Sequence, residues 1–122
     1  MSSYSTQKLL NGVLVTTTSD AFEVGSATGV SLQFVASAIS SGNGVFTVLV
    51  SNDGVNYIAY NRLVSNVTNT NGQTDTRVAS VTLSSNTNAV VFIPASDAFK
   101  FIKVVATVTT DGAYSANLFV RR

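Results

Sequence analysis

The chain has 122 residues, of which 45% are hydrophobic and 11% are charged, and its seven basic and six acidic side chains give a net charge of +1. There is no basic stripe for nucleic acid, no cysteine for a disulfide or a thiolate metal site, and no histidine to serve as the usual general base. The length accommodates one domain.

The opening segment, MSSYSTQKLL, lacks the charged and apolar regions of a secretory signal peptide. No apolar run approaches the roughly 18 residues needed to span a bilayer. We therefore expect synthesis in a cytosol, no signal peptide and no membrane contact. The first seven residues are mostly small and polar, which predicts a flexible N-terminal arm over residues 1–7 and a single domain over residues 8–122.

Apolar and polar residues alternate through most of the chain, which is the period of a β-strand rather than of a helix. Strands are predicted at residues 8–18, 21–24, 30–39, 45–51, 56–64, 78–83, 89–93, 99–108 and 113–120. The polar stretch at 65–77 is predicted to be a long loop without structure of its own. Together these elements predict an all-β fold, an antiparallel β-sandwich of jelly-roll type with about eight strands.

The tripeptide Asn52-Asp53-Gly54 interrupts two alternating runs, within SNDGVNYIAY at residues 51–60. Asn, Asp and Gly tolerate positive φ, so the tripeptide predicts a hairpin. The alternative hypothesis is a calcium loop in which Asn52, Asp53 and Asn56 supply oxygens. One carboxylate is too few for a good site, so we predict neither a metal nor a cofactor.

The acidic residues are scattered singly, and nucleophilic catalysis lacks a histidine base. The six acids are Asp20, Glu23, Asp53, Asp75, Asp97 and Asp111. Backbone hydrogen bonding in turns accounts for most of them. Two could converge in space as a glycosidase pair, but no catalytic role can be assigned, and we predict that the protein is not an enzyme.

Two stretches, FTVLVSNDGVNYIAY (46–60) and VVFIPASDAFKFIKVVATV (90–108), resemble the core hairpin and the later strand pair of discoidin-like (F5/8 type C) modules. The sequence departs from that pattern because Tyr57 stands where the family usually has tryptophan, and the bridging cysteines are missing. The resemblance implies a carbohydrate- or lipid-binding module of jelly-roll topology.

The same hairpin, together with FIKVVATVTTDGAYSANLFV (101–120), also resembles small virion proteins of tailed phages. That resemblance implies a sandwich subunit that decorates or cements a capsid or joins tail parts, and it covers more of the chain. It also implies synthesis in the host cytoplasm, residence in the virion, homo-oligomerisation and contacts with other capsid or tail subunits.

Candidate interface residues lie in AFKFIKVVATV, where Ile102, Val104 and Ala106 share one face of a strand and the intervening residues share the other. The second face is either buried, as in a strand covered on both sides, or a subunit contact, since aromatic residues are enriched at interface cores. The predicted interface set is Phe99, Phe101, Lys103, Val35 and Ile39.

The alternative function is recognition of surface glycans at a loop edge. In that hypothesis Tyr57, Tyr60 or Tyr114 stacks on a sugar ring, and Asp53 supplies hydrogen bonds. The two functions are compatible with each other, since a virion surface protein can also hold a glycan.

Overall fold

The computed structural model describes residues 3–65, 76–94 and 96–122. Within them the chain forms twelve β-strands and no helix. The strands are β1 (Tyr4–Val13), β2 (Thr17–Thr18), β3 (Phe22–Glu23), β4 (Gly29–Ser37), β5 (Asn43–Ser51), β6 (Ile58–Ala59), β7 (Leu63–Ser65), β8 (Thr76–Val78), β9 (Val81–Leu83), β10 (Asn88–Ile93), β11 (Phe101–Thr109) and β12 (Ala113–Arg121).

These strands form two antiparallel sheets. Sheet A has the order β1-β12-β4-β10-β7-β8, and sheet B has the order β2-β11-β5-β6, with β3 paired to β11 and β9 paired to β5. The predicted all-β antiparallel sandwich is confirmed. The sandwich has twelve strands rather than about eight, because the segments predicted at 8–18, 56–64 and 78–83 each divide into two strands of different sheets. Alternation alone does not reveal such a division.

The core lies between the two sheets, where every second residue of the long strands points inward. In β11 the inward residues are Ile102, Val104 and Ala106, all without exposed surface. The two sheets meet where the Phe34 ring stacks on Phe46 with centroids 4.4 Å apart, and Tyr114 contacts Phe46 edge-on at 6.1 Å. Such ring pairs add about 0.5–1.5 kcal/mol each beyond the burial of their area.

The N-terminal segment is part of sheet A, which corrects the predicted arm over residues 4–7. Tyr4 lies opposite Arg121 in the β1–β12 register. The pairing extends beyond both strands, because the Ser3 amide donates to the Arg122 carbonyl at 3.1 Å and the Arg122 amide donates back at 2.9 Å. Backbone hydrogen bonds hold this polar edge segment in the sheet. Its side chains therefore show no apolar alternation from which a strand could be predicted. Residues 1–2 lie outside the described residues.

Most of the predicted loop at 65–77 also lies outside the described residues, which omit 66–75. At its ends, Ser65 closes β7 and Thr76 opens β8. The connections gather at two loop ends. The first loop end holds residues 24–28, 52–57, 94 and 96–100, and the second holds 38–42, 84–87 and 110–112.

Candidate functional site

The predicted hairpin is present at the first loop end, and Asp53 organises it. Its Oδ1 accepts hydrogen bonds from the amides of Val55 and Asn56 at 2.9 and 2.8 Å, and its Oδ2 accepts one from the Asn56 side chain at 2.8 Å. Gly54 has φ +76°, the left-handed conformation for which glycine is suited. These donors, the two amides first, hold the pKa of Asp53 well below its usual range. The carboxylate is thus engaged by its own turn.

A cleft of about 540 Å³ opens beside this hairpin. Its polar centre is Asp97, whose Oδ2 accepts a hydrogen bond from the Tyr60 hydroxyl at 2.5 Å. The same oxygen lies 3.1 Å from Nε of Arg62, with which it forms an ion pair. Its apolar lining includes Ile58 and Phe99, and the Phe99 ring lies 5.8 Å from the Tyr60 ring. The cleft therefore presents charged, hydroxyl and aromatic groups within one space.

Burial, followed by the hydrogen bond to Asp97, raises the pKa of Tyr60 well above its usual range. The Tyr60 hydroxyl thus stays protonated and donates to the carboxylate. A titratable group with a strongly shifted pKa inside a cleft is a common feature of binding sites.

A second cleft of about 450 Å³ adjoins the first, and both are lined by Asn52 and Phe99. The second cleft is also lined by Glu23 and Lys100. We call the two adjoining clefts the furrow. Within the described residues, no three His, Cys, Asp or Glu side chains are arranged to hold a metal ion.

The predicted interface residues are placed in separate parts of the molecule. Phe101 and Lys103 point outward from sheet B, and Nζ of Lys103 lies 4.0 Å above the Tyr57 ring. Val35 lies on the opposite side of the sandwich. Its two neighbours in β4 point inward, so its own side chain points outward from sheet A. Phe99 lines the furrow.

Ile39, the remaining member of the predicted interface set, lies at the second loop end. It packs partly against the core, and its amide donates to Oδ1 of Asn86 at 2.9 Å. The structure therefore does not bring the five residues into one patch.

Of the predicted glycan contacts, only Tyr60 lines the furrow. The ammonium group of Lys103 lies over the Tyr57 ring, and the Asp53 carboxylate accepts hydrogen bonds within its own turn. Tyr114 has no exposed surface, and its hydroxyl donates to the Asp111 backbone carbonyl at 2.8 Å. This placement corrects the prediction for Tyr114, since a ring inside the core cannot stack on a sugar.

Sequence reasoning missed an aromatic surface on the outward face of sheet A. Phe92 and Phe119 are 42% and 39% exposed and flank Ser31 in register, across a groove of about 290 Å³. Tyr4, 63% exposed, lies 5.4 Å from Phe119 between ring centroids. We call Tyr4, Phe92 and Phe119 the aromatic face.

The aromatic face is bordered by cations. Lys8, Arg77 and Arg121 project from the same side of sheet A, as their register partners show. None of the acidic residues in the described part of the chain lies on a strand of this sheet. Alternation within VVFIP and NLFV places Phe92 and Phe119 on the opposite face from their apolar neighbours. Neither segment contains the information on strand register that makes the two rings neighbours.

The fold and these surfaces define a two-sheet antiparallel β-sandwich with a furrow at one loop end and an exposed aromatic face. The structure is similar to the crystal structure of SPBc2 prophage-derived protein YomS, with a TM-score of 0.72 and 15% identity over 100% of this chain and 96% of that one. This likeness shows the shared fold.

Weaker structural likenesses link the chain to the crystal structure of PirA and to the structure of infectious bursal disease virus Gx strain. For PirA the TM-score is 0.47 at 10% identity, over 99% of this chain and 93% of that one. For the virus structure the TM-score is 0.48 at 15% identity, over 99% and 33%. No protein-family model and no curated protein sequence matches the chain.

Proposed function

We propose that this chain is a non-enzymatic structural subunit of a tailed-phage particle, which decorates or cements the capsid or joins parts of the tail. The observation that carries the proposal is the aromatic face, because clustered exposed rings on a soluble domain mark surfaces that pack against other proteins. YomS is prophage-derived and shares the fold over 96% of its chain, which supports a phage origin for this chain as well.

In this proposal the subunit works by packing. The aromatic face is buried against other capsid or tail subunits, including further copies of this chain, and the bordering cations meet acidic groups of the partner. Binding to the assembled particle stabilises the subunit by mass action. The protein is made in the host cytoplasm and resides in the virion, without a cofactor and without contacts to nucleic acid or membrane. Among the described residues, no helix is long and apolar enough to cross a bilayer.

Sedimentation with particles tests this function. Fluorescently labelled chain is mixed with particles of the encoding phage assembled without it, and the bound fraction is measured across a concentration series. We expect saturable binding, which the double substitution Phe92→Ser and Phe119→Ser weakens by at least about tenfold, since buried aromatic anchors each contribute on the order of 1–2 kcal/mol.

The matched control is Leu14→Ser, which removes an exposed hydrophobic side chain (67% exposed) away from the aromatic face. It should bind like the unmodified chain. A chain that stays monomeric in light scattering and never sediments with particles would contradict the proposal.

A further inference from the structure

The polar lining of the first cleft is close to neutral in charge. One carboxylate, Asp97, is paired with one guanidinium, Arg62, whose side chain is 59% exposed. The ion pair uses Nε of Arg62, and within the described residues the outer N–H groups of the guanidinium make no hydrogen bond, which leaves them as donors at the surface of the cleft. A site that offers both donors and acceptors without a net charge suits a neutral ligand with many hydroxyl groups.

The hairpin adds two amide side chains to this lining. The described hydrogen bonds occupy Oδ1 of Asn52, which accepts from the Lys100 amide at 3.1 Å, and Nδ2 of Asn56. The other amide atom of each side chain, a donor on Asn52 and an acceptor on Asn56, makes no hydrogen bond within the described part of the chain. Both side chains are already fixed by the turn, which lowers the entropy cost of binding a ligand.

Apolar surface lies beside these polar groups. Ile58 is 71% exposed, and Phe99 forms part of the wall of both clefts. A sugar ring combines an apolar C–H face with a rim of hydroxyl groups, and aromatic or aliphatic side chains beside convergent polar groups match both parts.

The second cleft repeats this chemistry. Its lining holds one acidic residue, Glu23, and one basic residue, Lys100, and it shares Asn52 and Phe99 with the first cleft. Volumes of about 540 and 450 Å³ each fall in the range of roughly 300–1,000 Å³ that is usual for small-ligand sites. Two clefts that share lining residues and have similar chemistry indicate a ligand built from repeated units.

We propose that the furrow binds a neutral oligosaccharide, with Phe99 between two sugar-binding subsites. Arg62 and Asp97 hydrogen-bond one unit, and Glu23 and Lys100 hydrogen-bond the next. The furrow and the groove of the aromatic face share no lining residue, so the proposal does not depend on the structural role. A subunit docked through the aromatic face can still bind a glycan in the furrow.

A glycan array probed with the full chain tests the proposal, followed by isothermal titration with the neutral hexasaccharide that gives the strongest signal. The array carries neutral oligomers of glucose, galactose and N-acetylglucosamine together with sialylated and sulfated glycans. We expect binding to neutral oligomers, with affinity rising from monosaccharide to tetrasaccharide as both subsites fill.

Two substitutions locate the site, and each has a matched control. Arg62→Ala and Glu23→Gln should each weaken hexasaccharide binding by about tenfold, because hydrogen bonds to charged groups are among the stronger ones. Lys8→Ala and Asp20→Asn make the same kinds of charge change at exposed residues that do not line the furrow, and they should have no effect.

Several results would overturn the site: no binding on the array, binding to anionic glycans alone, binding to extended peptides alone, or equal sensitivity to the control substitutions. The structural role fails separately. Arg62→Ala should still sediment with particles, whereas the aromatic-face double substitution should still bind the hexasaccharide.

Discussion

The two loop ends each contain a tyrosine and an aspartate, but in different surroundings. At the second loop end Tyr114 and Asp111 are bonded to backbone, whereas at the first loop end Tyr60 and Asp97 line an open cleft. The Tyr114 hydroxyl donates to the backbone carbonyl of Asp111, and the Asp111 carboxylate accepts from the amides of Ser40 and Gly42 at 3.1 and 2.9 Å. The Tyr60 hydroxyl donates instead to the Asp97 carboxylate. Hydrogen bonds to backbone tie Tyr114 and Asp111 into the fold. The half-buried carboxylate of Asp97, in contrast, lines an open cleft and can also contact a ligand.

The space around a glycine also differs between the two loop ends. A methyl group on Gly42, at the second loop end, would overlap the carbonyl oxygen of Thr109 and lie 2.5 Å from the Asp111 amide. On Gly25, at the first loop end, the nearest atom would be Cγ of Lys100 at 3.4 Å, an ordinary contact. Neither glycine has positive φ, so the difference is one of space.

Gly42→Ala is therefore expected to have the largest effect. The clash is with backbone, which cannot move aside as a side chain can, and the free energy of unfolding should fall by about 3 kcal/mol or more. Gly25→Ala should change it by less than about 0.5 kcal/mol. Urea denaturation of both variants measures the difference, and equal losses would show that the first loop end is packed as tightly as the second.

Asp111→Asn is expected to have the next largest effect, and to exceed Asp53→Asn. Both carboxylates accept backbone amides, which lowers both pKa values. Asp111 joins two separate loops through residues about 70 positions away, whereas Asp53 bonds only within its own turn. Differential scanning calorimetry at pH 7 should give a lower Tm for Asp111→Asn than for Asp53→Asn.

Acid titration sharpens that prediction. With the folded pKa lowered, the contribution of Asp111 is fully present above the ordinary aspartate pKa of about 4, and it is lost as pH falls from there toward the lowered value. The unmodified chain should therefore lose stability below about pH 4, and the gap to Asp111→Asn should narrow. A gap that stays constant down to pH 2 would show that the charge of Asp111 does not contribute.

The sequence predicted what depends on local pattern. Alternation located the long strands and placed Ile102, Val104 and Ala106 on one face, which the structure shows to be the core face. Asn52-Asp53-Gly54 located the hairpin. The alternation of AYSANLFV also held the signal for Tyr114, whose apolar partners at every second position lie on the core face. The prediction of Tyr114 as a sugar contact is inconsistent with this alternation.

What the sequence could not supply depends on register between distant segments. Phe92 and Phe119 become neighbours only because β10 and β12 both pair with β4 around Ser31. Arg62 and Asp97 meet through the packing of two loops that are far apart in the chain. Neither contact has a local pattern, so both the aromatic face and the furrow required the folded structure.

Tyr114→Phe is expected to have a smaller effect than the two substitutions above. It keeps the ring and removes one hydroxyl, which leaves the Asp111 carbonyl without that donor. A lost hydrogen bond of this kind costs about 1 kcal/mol. Denaturant unfolding at pH 7 should show this loss with an unchanged m-value, and no loss would mean that water replaces the hydroxyl even at the closed end.

Tyr60→Phe should have the smallest effect at pH 7, below about 1 kcal/mol, because Asp97 keeps its contact with Arg62 and faces an open cleft. Its signature lies at alkaline pH. The folded pKa of Tyr60 is raised, so its contribution is complete below the ordinary tyrosine pKa of about 10 and is lost as pH rises above it, where only the unfolded chain ionises. The advantage of the unmodified chain over Tyr60→Phe should then shrink by about 1.4 kcal/mol per pH unit above that point, while the other titrating groups cancel in the comparison. If Tyr60→Phe instead costs as much at pH 7 as Tyr114→Phe, the first loop end is closed by its tyrosine after all, and the contrast between the two ends does not hold.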